Sequence, residues 1–302
     1  GGSVGGGIPI IRALREGLSA NRVESIYGIL NGTCNYILTQ METEGQAFDV
    51  ALKAAQELGF AEADPSLDID GFDTAHKAVI LASLAYGSPV SMESIHVEGI
   101  RGLSKVDLDY ALEFGYRIKL LAIVKRDGEE IEVRVHPTLI PLDNMMASVN
   151  GVFNAVMVNS DLADQTLYYG SGAGRLPTAS TVLGDIADIA RNQAVDASHR
   201  ISAVPSTGET LSVKPVSDAR SRYYLRLMPA DKPGVLAQFT GILGAHDISI
   251  ESVLQKGKSI DGHVPVVIIT HEALESDMDA AIQEIGALDS VMAGAIRLRI
   301  EA

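Results

Sequence analysis

The hydrophobic and polar positions in the first 169 residues follow two patterns. Apolar residues at helical spacing predict helices over residues 9–16, 48–58 and 106–114, together with a helix that opens near Asn31 and ends near Gly45. Strand-like alternation covers residues 22–30, 117–125, 131–137, 149–159 and 165–169, and the segment 126–129 is typical of a hairpin turn. We therefore expect an α+β fold, with helices packed on a largely antiparallel or mixed sheet.

The remainder of the chain changes character twice. A glycine-rich loop at 170–178 precedes a predicted helix over 179–194, and residues 196–221 lack apolar periodicity, as a linker does. Strands are then predicted over 223–228, 248–254, 263–270 and 291–300, with one helix ending at Ala245 and another over 274–285. This βαββαβ order predicts a ferredoxin-like unit. The predicted divisions are 1–169, 170–195, 196–221 and 222–302.

Acidic residues and a lysine precede the apolar segment 78–86. Residues 78–86 are apolar around the whole helical circumference, which predicts a buried helix ending at Tyr86. The acidic positions before it are Glu62, Asp64, Asp68, Asp70 and Asp73, followed by Lys77. Spacings of three and four residues predict that Asp70, Asp73 and Lys77 share one helix face. Chemistry alone leaves two interpretations open: a solvated loop with a surface ion pair, or carboxylates that bind an ammonium beside a lysine that moves a proton.

Composition narrows the class of partner. The 302 residues carry 24 Lys and Arg against 39 Asp and Glu, a net charge of −15, which disfavours binding to nucleic acid or to anionic membranes. Cys34 is the single cysteine, so an internal disulfide is excluded and a cytoplasmic location is expected. Because no base stands near it in the sequence, we interpret Cys34 as a small buried side chain. The sequence has no H-x-x-x-H or C-x-x-C pair, so a transition-metal site is not expected.

The segment 31–36, Asn-Gly-Thr-Cys-Asn-Tyr, is a turn that opens a helix. Either Asn31 or Thr33 is a suitable N-cap, and the backbone N–H groups at the helix start are suited to holding a substrate carboxylate. The simpler interpretation is a capped turn without a ligand. The glycine-rich loop at 170–178 is likewise either a crossover between domains or a close approach to a phosphate.

The stretch A-Q-E-L-G-F-A-E-A-D-P-S-L-D-I-D-G-F-D-T-A-H-K (55–77) resembles the motif of homoserine dehydrogenases in both spacing and polar residues. The segments V-G-G-G-I-P-I-I-R-A-L-R, N-G-T-C-N-Y-I-L and G-A-G-R-L-P-T-A-S-T-V-L-G-D-I resemble that family too, in the same order. The resemblance implies interconversion of homoserine and aspartate 4-semialdehyde with NAD or NADP, in threonine and methionine biosynthesis. It implies that Lys77 is the catalytic lysine, assisted by Asp73.

The same resemblance assigns further positions. Substrate-binding residues are implied at Glu62, Asp68, Gly32 and Thr33, and cofactor contacts at Gly172 and Gly174. Backbone oxygens of Val4, Gly6 and Ile8 match a monovalent-cation site for Na⁺ or K⁺. Residues 222–302, with A-D-K-P-G-V-L and H-D-I-S-I-E-S-V, resemble an ACT domain. An effector pocket is implied at Asp231, Gly234, Val235, Leu236, Ile248 and Ser249, with threonine as the effector.

The sequence departs from the family pattern in one respect. Family members begin with a Rossmann domain carrying G-x-G-x-x-G, and this motif is not found here. We expect that Gly1-Gly2 marks the junction with that domain and that the chain by itself has little activity. Two other functions stay open: an amino-acid sensing and oligomerisation module without catalysis, and a structural dimer core. A homodimer or homotetramer is expected.

Overall fold

A computed structural model describes residues 1–198, 200–201, 211–256, 262–292 and 294–301. Helices and strands up to residue 213 form the larger unit. Its helices are α1 (Ile10–Arg12, continued by a π-helical turn over Ala13–Gly17), α2 (Gly32–Thr43), α3 (Phe48–Glu57), α4 (Ser66–Ile69), α5 (Phe72–Tyr86), α6 (Lys105–Glu113) and α7 (Arg175–Ala194). Its strands are β1 (Val23–Ile29), β2 (His96–Val97), β3 (Tyr116–Asp127), β4 (Glu130–Pro141), β5 (Phe153–Ser160), β6 (Asp164–Ser171) and β7 (Ser212–Val213).

The C-terminal unit has the predicted βαββαβ order, with one short extra strand. Its elements are β8 (Arg220–Leu227), α8 (Val235–Ala245), β9 (Ile250–Gln255), β10 (Val266–Thr270), β11 (Ala273–Leu274), α9 (Glu275–Gly286) and β12 (Ile296–Ile300). The final strand is shorter than the predicted 291–300, and β9 starts two residues later than predicted. The unit has its own core, which includes Phe239, Met278 and Ile285.

The two units share a single sheet. Its strand order is β6-β5-β1-β3-β4-β12-β8-β10-β9, with the short strands β2, β7 and β11 attached at its sides. The junction is a parallel pairing of β12 with β4, in which Arg299 lies opposite Thr138 and Ile300 opposite Leu139. The other neighbours along this order pair antiparallel, so the prediction of an α+β fold with a largely antiparallel or mixed sheet is confirmed.

Helix α5 packs within the larger core, as its apolar pattern predicts. Ala75, Ala78, Leu81 and Ala82 are fully buried, and α5 contacts β1, β3 and β4. Gly71 precedes the helix with a φ of 89°, a left-handed conformation that favours glycine. This turn fixes the direction in which the acidic loop enters the buried helix.

Further differences from the predictions lie in α7, in β5 and in the predicted linker. Helix α7 begins at Arg175 rather than 179, because the first turn of a helix accepts Pro177 without losing a hydrogen bond. The strand predicted over 149–159 begins four residues later, as β5 at Phe153, and a 3₁₀ turn over Met145–Ser148, capped by Asn144, ends just before the predicted stretch. Part of the predicted linker forms β7 and a 3₁₀ turn, while residues 202–210 of it lie outside the described residues.

Candidate active site

Asn31 stands at the centre of a polar cluster between α2, α4 and α5. It is the N-cap of α2, where its Oδ1 accepts a hydrogen bond of 2.8 Å from the backbone N–H of Cys34. Its amide nitrogen donates to Asp68 Oδ1 at 2.7 Å and to Asp73 Oδ2 at 2.8 Å. One buried side chain therefore caps a helix and holds two carboxylates beside each other.

Lys77 completes this cluster from the next turn of α5. Its Nζ donates to Asp73 Oδ2 at 2.6 Å and to the backbone oxygen of Leu30 at 2.9 Å. The side chains of Lys77 and Asp73 are 20% and 25% exposed, so the pair is reached by solvent from one side only. The Asp73–Lys77 pair is thus held by Leu30 and Asn31 rather than lying free on the surface. This geometry favours the active-site interpretation over a simple surface ion pair.

Asp68 is a partly buried carboxylate whose pKa is shifted by its surroundings. Burial raises the pKa of Asp68, the hydrogen bond from Asn31 opposes that rise, and the charge of Asp73 adds to it. Glu62 also contributes to the rise in the pKa of Asp68, although its own side chain is exposed. The three carboxylates therefore form one electrostatic group, with Glu62 at its solvent side.

The start of α2 places the remaining predicted substrate residues. Thr33 Oγ1 donates to the backbone oxygen of Phe60 at 2.6 Å, which ties the helix start to the acidic stretch. At Gly32 a Cβ atom would lie 2.8 Å from the backbone oxygen of Val152, so only glycine fits there without a shift. Cys34 is fully buried and its thiol donates to the backbone oxygen of Asp68 at 3.2 Å. Burial raises the pKa of Cys34 well above its ordinary value, in keeping with an inert thiol.

Asp70 does not share the helix face of Asp73 and Lys77, so this prediction is wrong. The left-handed turn at Gly71 separates α4 from α5, and Asp70 follows α4 instead of opening α5. Its carboxylate pairs with the exposed guanidinium of Arg101. The helical spacing failed here because the helix begins two residues later than the spacing assumes.

The glycine-rich loop lies at the start of α7. A Cβ at Gly172 would come within 2.1 Å of the Asn154 amide, so packing inside the chain requires this glycine. Gly174 has a φ of 118° and caps α7 with its backbone exposed. The exposed large apolar side chains of α7 are Leu176, Val182, Leu183, Ile186 and Ile189. An exposed helix start and an apolar helix face fit the approach of a cofactor and a further protein surface.

Two of the predicted cation oxygens accept hydrogen bonds within the chain. The Gly6 oxygen accepts a hydrogen bond of 2.8 Å from Thr181 Oγ1, and the Ile8 oxygen accepts one of 2.9 Å from the N–H of Ile10. Val4, which carries the third of these oxygens, is fully buried. Within the described ranges, no group of three or more His, Cys, Asp or Glu side chains is placed to hold a metal ion.

The predicted effector residues divide between core and surface. Val235 and Ile248 belong to the core of the C-terminal unit. Asp231, Leu236 and Ser249 are exposed, and Gly234, with a φ of 87°, precedes α8. The exposed members lie at the turn before α8 and at the entry to β9.

Two residues escaped the sequence interpretation. The bridging role of Asn31 was not predicted, although its place beside the helix start was. Lys119 in β3 is 1% exposed and donates to Asn35 Oδ1 at 3.0 Å and Asn150 Oδ1 at 3.1 Å. Burial, and secondarily the charge of Arg117, lowers the pKa of Lys119 to about 7. A lysine among the apolar residues of β3 was the available signal.

No helix in the described part of the chain has both the length and the apolar character needed to cross a bilayer.

The homoserine dehydrogenase family profile matches residues 9–187, and the ACT domain profile matches residues 223–290. The chain is 48% identical to a homoserine dehydrogenase of Neisseria gonorrhoeae and 46% identical to one of Pseudomonas aeruginosa. Each match covers 99% of this chain and 70% of the relative.

Solved structures agree with these relatives. The crystal structure of a homoserine dehydrogenase from Thiobacillus denitrificans superposes with a TM-score of 0.92 at 48% identity, covering 99% of this chain and 69% of that one. A hyperthermophilic archaeal homoserine dehydrogenase in complex with NADPH superposes with a TM-score of 0.55 at 33% identity, covering 63% of this chain and 54% of that one. Sequence, fold and the polar cluster thus lead to one assignment: the chain belongs to the homoserine dehydrogenase family, a family of oxidoreductases, and carries an ACT domain.

Proposed function

We propose that this chain supplies the substrate side of the active site for the NAD(P)-dependent interconversion of homoserine and aspartate 4-semialdehyde. The carrying observation is the contact of Lys77 with Asp73 while Asn31 holds Asp73 beside Asp68. A lysine with a confined position, next to acids that bind an ammonium, suits an amino-acid alcohol as substrate. The similarity to homoserine dehydrogenases supports this reaction over a sensing module without catalysis.

The substrate is a zwitterion, and the cluster offers partners of both signs. The carboxylates of Glu62, Asp68 and Asp73 would attract its ammonium group. Backbone N–H groups at Gly32 and Thr33, at the start of α2, would receive its carboxylate, aided by the positive end of the helix dipole. These opposite partners orient the reacting carbon of the substrate toward Lys77.

Lys77 then handles the proton. In the reduction, Lys77 Nζ donates a proton to the aldehyde oxygen as the C–H bond forms, and the product is the alcohol of homoserine. In the oxidation, the neutral amine takes the hydroxyl proton while the hydride leaves the carbon. The positive charge of the lysine also stabilises the negative charge that grows on oxygen in the reduction.

The nicotinamide cofactor, when bound, donates or accepts the hydride. Gly172 and Gly174 are the residues of this chain that would lie beside it. Their part is to let the backbone before α7 approach the cofactor closely. We also propose that the backbone oxygens of Val4, Gly6 and Ile8 bind a monovalent cation, Na⁺ or K⁺, which carries no step of this reaction.

Replacement of Lys77 tests the proton transfer. In the protein expressed from its complete coding sequence, Lys77→Met should lower kcat for aspartate semialdehyde reduction by about 10²–10⁴-fold, the usual contribution of a general acid. NADPH consumption is the assay. Lys105→Met is the matched control, since Lys105 also pairs with an aspartate four residues away but lies on the exposed face of α6. Turnover near the wild-type rate in Lys77→Met would refute the assignment.

We also propose that the C-terminal unit binds an amino-acid effector at Asp231, Gly234, Val235, Leu236, Ile248 and Ser249, with threonine as the first candidate. The match to the ACT domain supports effector binding and association into a homodimer or homotetramer. Calorimetry with threonine and with homoserine separates the two sites. Asp231→Asn should weaken threonine binding and leave homoserine binding unchanged. Equal weakening of both would contradict separate sites.

A further inference from the structure

A partly buried ionic cluster joins β12, the last strand of the C-terminal unit, to the larger unit. Arg299 of β12 is fully buried, and its guanidinium donates to both carboxylate oxygens of Glu98, at 3.0 and 3.1 Å. Glu275 at the start of α9 accepts a further hydrogen bond of 2.8 Å from Arg299 Nε. His96 Nε2 lies 2.7 Å from Glu98 Oε1. Glu98 is thus the acid of the larger unit that the buried arginine grips with both of its terminal nitrogens.

The backbone next to Glu98 leaves no free space on its other side. A Cβ on Gly99 would lie 2.1 Å from the backbone oxygen of Ile69 and 2.4 Å from Asp70 Cα. The N–H of Ile100 donates to the oxygen of Ile69 at 2.8 Å. A Cβ on Gly71 would lie 3.0 Å from the oxygen of Glu98. The segment 98–100 therefore presses, backbone against backbone, on the turn between α4 and α5.

That turn separates two of the site carboxylates. Asp68 lies within α4, just before the turn, and Asp73 lies in the first turn of α5, just after it. A shift of the turn changes the distance between these carboxylates, and hence whether Asn31 can donate to both of them. We propose that Glu98 is a positioning residue, through which Arg299 of the C-terminal unit sets the geometry of Asp68 and Asp73.

The charge state of Glu98 supports a tight grip. Burial opposes its ionisation, but the hydrogen bonds from His96 and Arg299 hold the pKa of Glu98 well below its usual range. Glu98 is thus ionised at neutral pH. Removing this charge leaves Arg299 with one carboxylate fewer in a buried site, which favours rearrangement of segment 98–100.

The test compares Glu98→Gln with Glu301→Gln in the protein expressed from its complete coding sequence. Glu301 follows β12 and also pairs with a buried arginine, but its partners are Arg134 at 2.7 Å and Lys125 at 2.6 Å, away from the turn. Each variant removes an acid that pairs with a buried arginine, so both should lower Tm. Only Glu98→Gln should alter the conformation of the α4–α5 turn.

Hydrogen–deuterium exchange over residues 66–72 is the first measurement. Glu98→Gln should speed exchange there by about tenfold, because the turn opens more readily, while Glu301→Gln leaves it at the wild-type rate. The second measurement is the KM for homoserine, which should rise by about tenfold in Glu98→Gln with an unchanged KM for the nucleotide. Glu98→Asp, which keeps the charge, should recover part of both effects, and it replaces Glu98→Gln if that variant does not fold.

The two measurements separate this inference from the proposed function. Only the KM measurement rests on the proposed function; the exchange measurement does not. Unaltered exchange over residues 66–72 in Glu98→Gln would overturn the coupling, as would equal acceleration in Glu301→Gln. Faster exchange with an unchanged KM for homoserine would leave the coupling standing and overturn the substrate role proposed for Asp68 and Asp73.

Discussion

Asn31→Asp is the sharpest test of the polar cluster, because it changes one atom in the side chain. The variant keeps the oxygen that caps α2 through the N–H of Cys34. It replaces the nitrogen that donates to Asp68 and Asp73 with an oxygen that cannot donate. Three carboxylates then lie next to one another where previously an amide lay between two.

The loss follows from the two hydrogen bonds. A hydrogen bond to a charged group contributes about 1.5–3 kcal/mol, so the pair is worth about 3–6 kcal/mol at most. Asp73 is a quarter exposed and regains water when the amide is lost, which moves the expected loss toward about 3 kcal/mol. Repulsion between the carboxylates adds to this loss at neutral pH.

The pH dependence provides the distinguishing sign. Close carboxylates raise the pKa of one of their number above its value in the unfolded chain. A group with a raised folded-state pKa contributes stability at low pH, and that stability is lost as the pH rises through the folded-state value. Protonation of one carboxyl in Asn31→Asp also restores one donor. The free energy of unfolding of Asn31→Asp, relative to the wild type, should therefore fall by about 1.5–3 kcal/mol from pH 5 to pH 8, which is the contribution of that hydrogen bond.

Urea unfolding monitored by circular dichroism, from pH 5 to pH 8, measures this difference. Asn144→Asp is the matched control: Asn144 caps the 3₁₀ turn before β5 by accepting from the N–H of Met146 at 2.9 Å, a role that aspartate also fills. This control should stay within about 0.5 kcal/mol of the wild type throughout. A loss in Asn31→Asp that is the same at every pH, or no loss, would refute the bridging role of Asn31.

Two further substitutions test packing around the site. Lys119→Met removes a lysine whose pKa burial lowers to about 7. Between about pH 7 and pH 10 the unfolded chain binds one proton more than the folded wild type, so the wild type should gain stability relative to the variant as the pH rises. Urea midpoints at pH 7 and pH 9 measure this gain, and the same pH dependence in both proteins would contradict it. Gly172→Ala should cost about 1–3 kcal/mol through overpacking against Asn154, whereas Gly184→Ala in α7 has open space and should be neutral or stabilising by about 0.5–1 kcal/mol. Thermal unfolding compares the last two, and equal Tm values would contradict the crowding at Gly172.

The sequence predicted features that depend on neighbours along the chain. The apolar circumference of residues 78–86 predicted a buried helix, and the four-residue spacing of Asp73 and Lys77 predicted their contact; both lie within α5. The same spacing failed for Asp70, because the turn at Gly71 breaks the helical phase. The bridge from Asn31 to Asp68 spans 37 residues of sequence, and no periodicity carries information over that distance.

The last strand shows why the joining of the two units was also beyond the pattern. In β12 the sequence Ile-Arg-Leu-Arg-Ile alternates, and alternation predicts one buried apolar face and one solvated face carrying the arginines. In the fold Leu298 and Ile300 are buried, but so is Arg299, because β4 pairs with the strand and segment 96–98 covers its polar face. The cost of burying that guanidinium requires acids nearby, and Glu98 and Glu275 meet the requirement from distant parts of the chain. The alternation of β12 identifies the strand, whereas the placement of Glu98 depends on β2 and β4. This long-range pairing connects the C-terminal strand, through Glu98 and the backbone of segment 98–100, to the turn between Asp68 and Asp73.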